Sequence, residues 1–436
     1  MTETGEESTE IQDQNARNYR WNFRMTILDG ASFGFGISFF SYTIILPLYV
    51  SHFTSNPLLI GMVPFLYTLG YLVPQLFIAN VVERAPLKKV FPVRLGFFSQ
   101  RVPILLMAPA TWFFARGKPE TALLVFFSLY AWHTMGSGLQ VVGWMDMIAK
   151  VFKVQQRGKV LGISNSLGNL LGLFGAVVIP VLLGRFEFPL GYVICFAIGS
   201  VFVLMSWIFL SRTKEIPQPN PKPVVSQREY FRALPAILRR DVNFRTYLLA
   251  QVLFSLSGMG VGFLVVHSAT KWNLPDSQAS LYTLALQAGL ALGFLLLGFF
   301  TDRHGHRLNL LICMALSVLA YGLAIVAPAS GWFFVVFFLR GVINAGSMLS
   351  GIAIVYEFTN AHDRATYIGL ANTIPGIFGA IAPFVGGWLA GLTSYSLMFA
   401  GALGVGILAF LVLQFFVREP RTAAALSNPI QNEVTQ

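Results

Sequence analysis

The chain has 436 residues, of which 55% are hydrophobic and only 11% are charged, with a formal net charge of +11. A soluble chain carries roughly 25% charged residues, and a folded sphere of this length has no room to bury about 240 apolar side chains. The composition therefore excludes a string of soluble domains, a disordered chain and a collagen-like one. It also argues against nucleic acid as the partner of the positive charge, and the lipid bilayer takes its place. Cys195 and Cys313 both lie in apolar runs and imply no disulfide framework. The first twenty-odd residues are polar, without a signal-peptide core, so the first span is expected to direct insertion.

In chain order, runs long enough to cross a bilayer fall at 26–50, 57–80, 90–115, 121–149, 159–184 and 189–211. Six more fall at 246–270, 279–300, 308–328, 331–358, 366–390 and 394–417. The runs are continuous rather than alternating, which predicts helices and not barrel strands. The fold class expected is an all-α integral membrane protein, with twelve transmembrane helices in two pseudo-symmetric six-helix bundles. The bundles are expected at 25–212 and 246–417, with tails at 1–24 and 418–436 and a linker at 213–245. Of the 30 Lys and Arg residues, 23 fall on the side that also holds both termini and the linker, against 4 on the other. Positive charge marks the inner side, so both termini are expected in the cytoplasm and the chain in the plasma membrane. Within the linker, 216–223 has alternate prolines and reads as extended. Residues 227–240 mix apolar residues with arginines, as a solvated linker or as a helix on the inner leaflet.

The two halves repeat. Arg157 to Asn165 matches Arg364 to Asn372 at an offset of 207, which also relates Gly172 to Gly379. Glu83-Arg84 lines up with Asp302-Arg303 at an offset of 219. Duplicated six-span units are a plan of secondary transporters. The stretch Gly298 to Arg307 places Gly298, Asp302, Arg303, Gly305 and Arg307 in the spacing Gly-x-x-x-Asp-Arg-x-Gly-x-Arg. In this it resembles the loop signature of the major facilitator superfamily, with every fixed position met. The first-half copy, Ala79 to Lys88, has lost both glycines and carries Glu83 for the aspartate. The resemblance covers roughly residues 25–417.

That resemblance implies a secondary active transporter working by alternating access, with a small-molecule substrate, possible proton coupling, no cofactor and a monomeric state. It further implies that Asp302 faces the start of the fifth span near Gly158, and that Glu83 faces the eleventh near Ala365. Carboxylates suit such helix starts. Arg84 and Arg303 then need anions, and Asp146 and Glu357 are available at the inner ends of the fourth and tenth spans. The pairs Arg84–Asp146 and Arg303–Glu357 are expected to hold the cytoplasmic side closed.

Ionisable groups within the hydrocarbon are costly and mark cavities or partners. Asp29, Arg101, His133 and Arg340 are the strongest candidates, with His133 and Arg340 matched at the offset of 207. Arg94 is close enough to its span end to reach the interface, and His267 lies near the opposite end of its own span. Asp29 and His133 are candidate proton sites, the former also explained by a helix start. Gln75, Gln251, Gln287 and Asn344 complete the lining, with Gln140, Asn165, Asn169 and Asn372 as further polar residues. Few intramembrane charges favour a weakly polar or amphiphilic substrate, exported, whereas Arg101, Arg340 and His133 together suit a monoanion. No nucleotide-binding loop, metal-spaced cluster or nucleophile motif is present in the sequence. The alternatives are a non-transporting membrane sensor or scaffold and a membrane-embedded lipid-handling enzyme.

Overall fold

The computed structural model describes residues 3–217, 238–351, 353–359 and 364–419. The extended reading of 218–223 and the inner-leaflet helix expected over 227–237 lie outside them. All regular structure among the described residues is helical. Large apolar side chains stand exposed along these helices, among them Phe77, Phe113, Phe299 and Phe415, each more than 70% exposed. In water each would forfeit about 25 cal/mol per Å² of apolar surface; in lipid none does. Backbone groups meanwhile are paired within helices, as a bilayer demands. The protein is a multi-pass membrane protein.

Ten helices among the described residues are long and apolar enough to cross a bilayer. The first and third expected spans are helical but interrupted. Helix α1 (Glu3–Ser38) breaks over 39–44 before α2 (Ile45–Ser51). After α3 (Pro57–Arg84), the third run opens with two π turns, Phe91–Leu95 and Phe97–Arg101, before α4 (Val102–Phe114). Pro92 and Pro103 lack the N–H that a regular ladder needs there. Widened turns of this kind recur at functional sites, and Arg101 closes the second. The first half continues with α5 (Pro119–Val151), α6 (Val154–Arg185) and α7 (Leu190–Ser211).

The second half begins with α8 (Val242–Ser257), a 3-10 turn, and α9 (Phe263–Trp272). It continues through α10 (Asp276–Ser280), α11 (Tyr282–His304), α12 (His306–Val326) and α13 (Trp332–Ser350). The short α14 (Val355–Phe358) precedes α15 (Arg364–Leu392) and α16 (Tyr395–Phe416). The chain divides into two compact units. Unit 1 holds Met1–Ser55, Leu66–Val224 and Pro275–Leu281; unit 2 holds Asn56–Phe65, Val225–Leu274 and Tyr282–Gln436.

Glycine sets the closest helix approaches. In unit 1 the backbones of Gly34 and Gly168 meet, so α1 and α6 touch without side chains between them. In unit 2 a Cβ on Gly289 would strike the Phe338 carbonyl oxygen, and one on Gly341 the Leu286 carbonyl oxygen. Helices α11 and α13 are thereby pressed together beside Arg340.

The repeat extends beyond the spans into matching clasps. In unit 1 the Asn22 side chain donates to the Lys214 carbonyl (2.9 Å) and accepts from the Lys214 N–H (2.8 Å). In unit 2 Asn243 does the same with Arg418, at 3.1 and 2.8 Å. A glutamate follows each clasp. Glu215 is wholly buried in its side chain; it accepts the Lys88 and Lys89 N–H groups (2.9 and 2.7 Å) and pairs with Lys150 Nζ (2.9 Å). Burial lowers the Lys89 ammonium from its ordinary pKa, and the Glu215 charge opposes that shift. Glu419, the matching residue, lies against Gly305. Glu215→Ala would strand two backbone donors and one ammonium, at a cost of about 3 kcal/mol. A clearly lower melting midpoint in detergent is expected, and an unchanged one would contradict the clasp.

Candidate functional site: a polar cavity in unit 2

A cavity of about 560 Å³ opens within unit 2, and every residue lining it belongs to that unit. One face of α13 builds most of its wall. Arg340, Ile343, Asn344, Ser347 and Met348 recur at the three- and four-residue spacing that places side chains on one side of a helix, and Gly351 follows. Helix α8 adds Gln251, Phe254 and Ser255 at the same spacing, with Ser257 and Gly258 where it passes into the 3-10 turn. Leu310 of α12 and Ala371, Asn372 and Pro375 of α15 close the remaining side. Pro375 lies inside α15 and has no N–H to give the Ala371 carbonyl one turn before it.

Arg340 is 91% buried, with 9% of its surface exposed. Among the described residues its one hydrogen bond runs from Nη1 to Ser317 Oγ at 3.4 Å, and its Nε is buried without a partner. A guanidinium carries five N–H donors, so most of its capacity is unspent. No carboxylate lies within ion-pair distance of it among the described residues, and no acid lines the cavity. Gln251 donates to Tyr247 Oη (2.9 Å), leaving its carbonyl oxygen for the cavity.

Unit 1 also buries a cation. Asp29 and Arg101 are both buried, no ion pair within 4.0 Å joins them, and Arg101 Nε is buried without a partner. Asp29 accepts from Ser206 Oγ at 2.5 Å. Arg101 donates to the Gln100 side chain, whose amide donates to Ser137 Oγ at 2.7 Å. His133 Nδ1 stands 2.9 Å from the Gln100 carbonyl oxygen. Arg101 and His133 thus meet at Gln100 in unit 1, with Asp29 held separately by Ser206, while Arg340, Gln251 and Asn344 share the cavity of unit 2. Gln75 donates to its own helix at Tyr71 (2.7 Å), and Gln287 is half-buried outside the cavity lining. Arg94 is exposed, as an interfacial cation would be.

The charged loop residues are arranged otherwise than expected. Asp146 lies 3.8 Å from Lys88 and not beside Arg84, which is exposed. Glu357 approaches His306 at 4.0 Å and not Arg303, also exposed. The reason is reach: Lys88 and His306 lie beyond the turns that follow α3 and α11, where the chain folds back. Lys88 Nζ also donates to the Val82 and Glu83 carbonyls, capping the end of α3. Arg307, its repeat mate, caps α16 through the Leu413 and Gln414 carbonyls at 3.1 and 2.7 Å. Gly305 adopts φ +89°, a left-handed conformation that explains the glycine in the motif. The Asp302 and Ala365 side chains lie outside the described residues, so the helix-start contacts expected there are not described.

Three hydroxyl residues of the site, Ser255, Ser257 and Ser347, were not singled out by sequence. The available signal was Ser347 standing seven residues, two turns, beyond Arg340 on the same face. Another cluster went unread. Asp276 lies 2.5 Å from His52 Nε2 and accepts from Tyr192 Oη at 2.8 Å, all within unit 1.

Comparison with known proteins decides the family. The family model described as Major Facilitator Superfamily matches residues 28–268 and 247–434. The chain belongs to the Major Facilitator Superfamily. Its members are transporters rather than enzymes. Among curated superfamily relatives, a multidrug resistance protein, MdtL, from Klebsiella pneumoniae (strain 342) is 28% identical over 177 residues, 40% of this chain and 45% of the relative. A gentisate transporter from Corynebacterium glutamicum is 27% identical over 171 residues, 38% of each. The chain thus matches less than half the length of either relative. Among solved superfamily structures, the nucleoside transporter NupG is 14% identical and covers 91% of this chain and 100% of its own, with a TM-score of 0.72. A D-xylose-proton symporter is 16% identical and covers 92% and 99%, with a TM-score of 0.67. At such identities these structures speak for the fold alone.

Proposed function

We propose that the protein is a secondary active transporter that moves a small molecule by alternating access between its two six-span halves. One observation carries the reading. In a chain of this family, α13 turns a polar stripe from Arg340 to Ser347 into a cavity of about 560 Å³ instead of packing it or exposing it to lipid. That volume suits a small organic molecule, since such sites run roughly 300–1,000 Å³. Twelve spans with cytoplasmic termini in a plasma membrane remain the layout proposed, supported by the basic bias of the loops. The matched relatives are named for drug resistance and for gentisate transport, so export is retained as the direction proposed and import is the outcome that would replace it.

Proton coupling is proposed through Asp29. Asp29 and Arg101 are buried charges of opposite sign in one unit, so protonating the carboxylate would change the charge balance around that cation. The D-xylose-proton symporter of the same fold is named for such coupling. Purified protein in proteoliposomes with an imposed pH gradient tests both points. Solutes in anionic, neutral and cationic sets should include one that accumulates saturably. Asp29→Asn should keep exchange of internal for external solute yet lose accumulation driven by the gradient. Flux no greater than in empty liposomes for every set would refute transport.

A further inference from the structure

We infer that the cavity of unit 2 binds a small organic monoanion, its carboxylate held by Arg340 and its body by the apolar wall. The binding site stands on geometry; that the anion is cargo rests on the transporter reading above. Burying a cation without a counter-charge is strongly unfavourable unless an anion completes it. In unit 1 the buried Arg101 likewise has an Nε without a partner and no carboxylate within ion-pair distance among the described residues; what sets Arg340 apart is that it lines a cavity. Arg340 is 91% buried, its Nε has no partner, and among the described residues only Ser317 hydrogen-bonds to it.

The planar fork of an arginine matches a carboxylate with two parallel hydrogen bonds. The lining sets the number of charges. Arg340 is the sole ionisable side chain lining the cavity among the described residues, so one negative charge is balanced and a second would be buried alone. A cationic ligand would meet like charge and no acid. Asn344, one turn along from Arg340, and Gln251 supply amides for a neutral polar group. Phe254, Leu310, Ile343 and Met348 would cover a compact apolar body. The same stripe explains why α13 tolerates a charge within the hydrocarbon.

The test is thermal melting of the full-length protein in detergent at fixed ionic strength. Benzoate, hexanoate and pyruvate are titrated in turn, beside benzamide, hexanamide and benzylamine as neutral and cationic counterparts. A ligand that binds only the folded state raises the midpoint with concentration. At least one carboxylate should do so, its amide and amine counterparts should not, and Arg340→Gln should weaken the apparent affinity on the order of ten- to a hundredfold. Arg340→Lys keeps a cation and should retain part of the effect, which guards against a variant that merely misfolds. Stabilisation by no carboxylate, equal stabilisation by an amide, or an effect unchanged in Arg340→Gln would overturn the inference. Anion binding without flux in proteoliposomes would overturn the transport reading alone, and flux of neutral solutes unaffected by Arg340→Gln would overturn the anion site alone.

Discussion

Arg340→Gln is expected to reduce anion flux in proteoliposomes by on the order of ten- to a hundredfold, while Arg340→Lys keeps a measurable fraction. The expectation follows from the unspent donors of a 91% buried guanidinium beside a cavity that no acid lines among the described residues. Glutamine fills a similar volume and hydrogen-bonds, but it brings no charge to the substrate. Lysine restores the charge without the fork, so affinity should return in part and selectivity among anions should loosen. Removing Arg340 also removes a buried, incompletely solvated cation. The unliganded Arg340→Gln protein should therefore melt no lower than the wild type, a sign opposite to that of an ordinary core substitution. A sharply lowered midpoint together with intact flux would show that Arg340 is a structural residue.

The second large effect lies in unit 1. Arg101→Gln removes the donor to the Gln100 side chain and should destabilise the protein by about 1–3 kcal/mol, while Asp29→Asn removes a buried carboxylate. If the two buried charges support one another, the double variant should lose less than the sum of the single losses. A double-mutant cycle on melting midpoints measures this coupling. The amide introduced by Asp29→Asn can still accept from Ser206, so the loss isolates the charge and not the hydrogen bond. Additive effects across the cycle would show that Asp29 and Arg101 do not depend on each other.

Much of this arrangement is legible in the sequence itself. Apolar runs of span length disclose helices because a bilayer permits little else, and the Gly298 to Arg307 motif disclosed the family. Arg340, Gln251 and Asn344 stood out because polar groups in hydrocarbon need a reason. Ser255, Ser257 and Ser347 did not, since a serine can satisfy its hydroxyl on its own helix, as Ser257 does on Phe254. Gln75 was misleading for a similar reason, its amide being spent on the Tyr71 carbonyl. The pairing of Asp146 with Lys88 depends on where a turn redirects one long side chain, which spacing along the chain does not encode. Glu215 and Glu419 lie just past the last span of each half, where acids are ordinary. Only the fold shows that Glu215 is buried under two backbone donors and a lysine.

The centre of the account is Arg340, a buried cation at a cavity that no acid lines among the described residues. The most direct measurement is a structure of the full-length protein with 4-iodobenzoate, located by the anomalous signal of iodine. The account predicts the iodine inside the unit 2 cavity and the carboxylate within hydrogen-bond distance of Arg340, with both lost in Arg340→Gln. Iodine bound elsewhere, or a carboxylate turned away from Arg340, would contradict it.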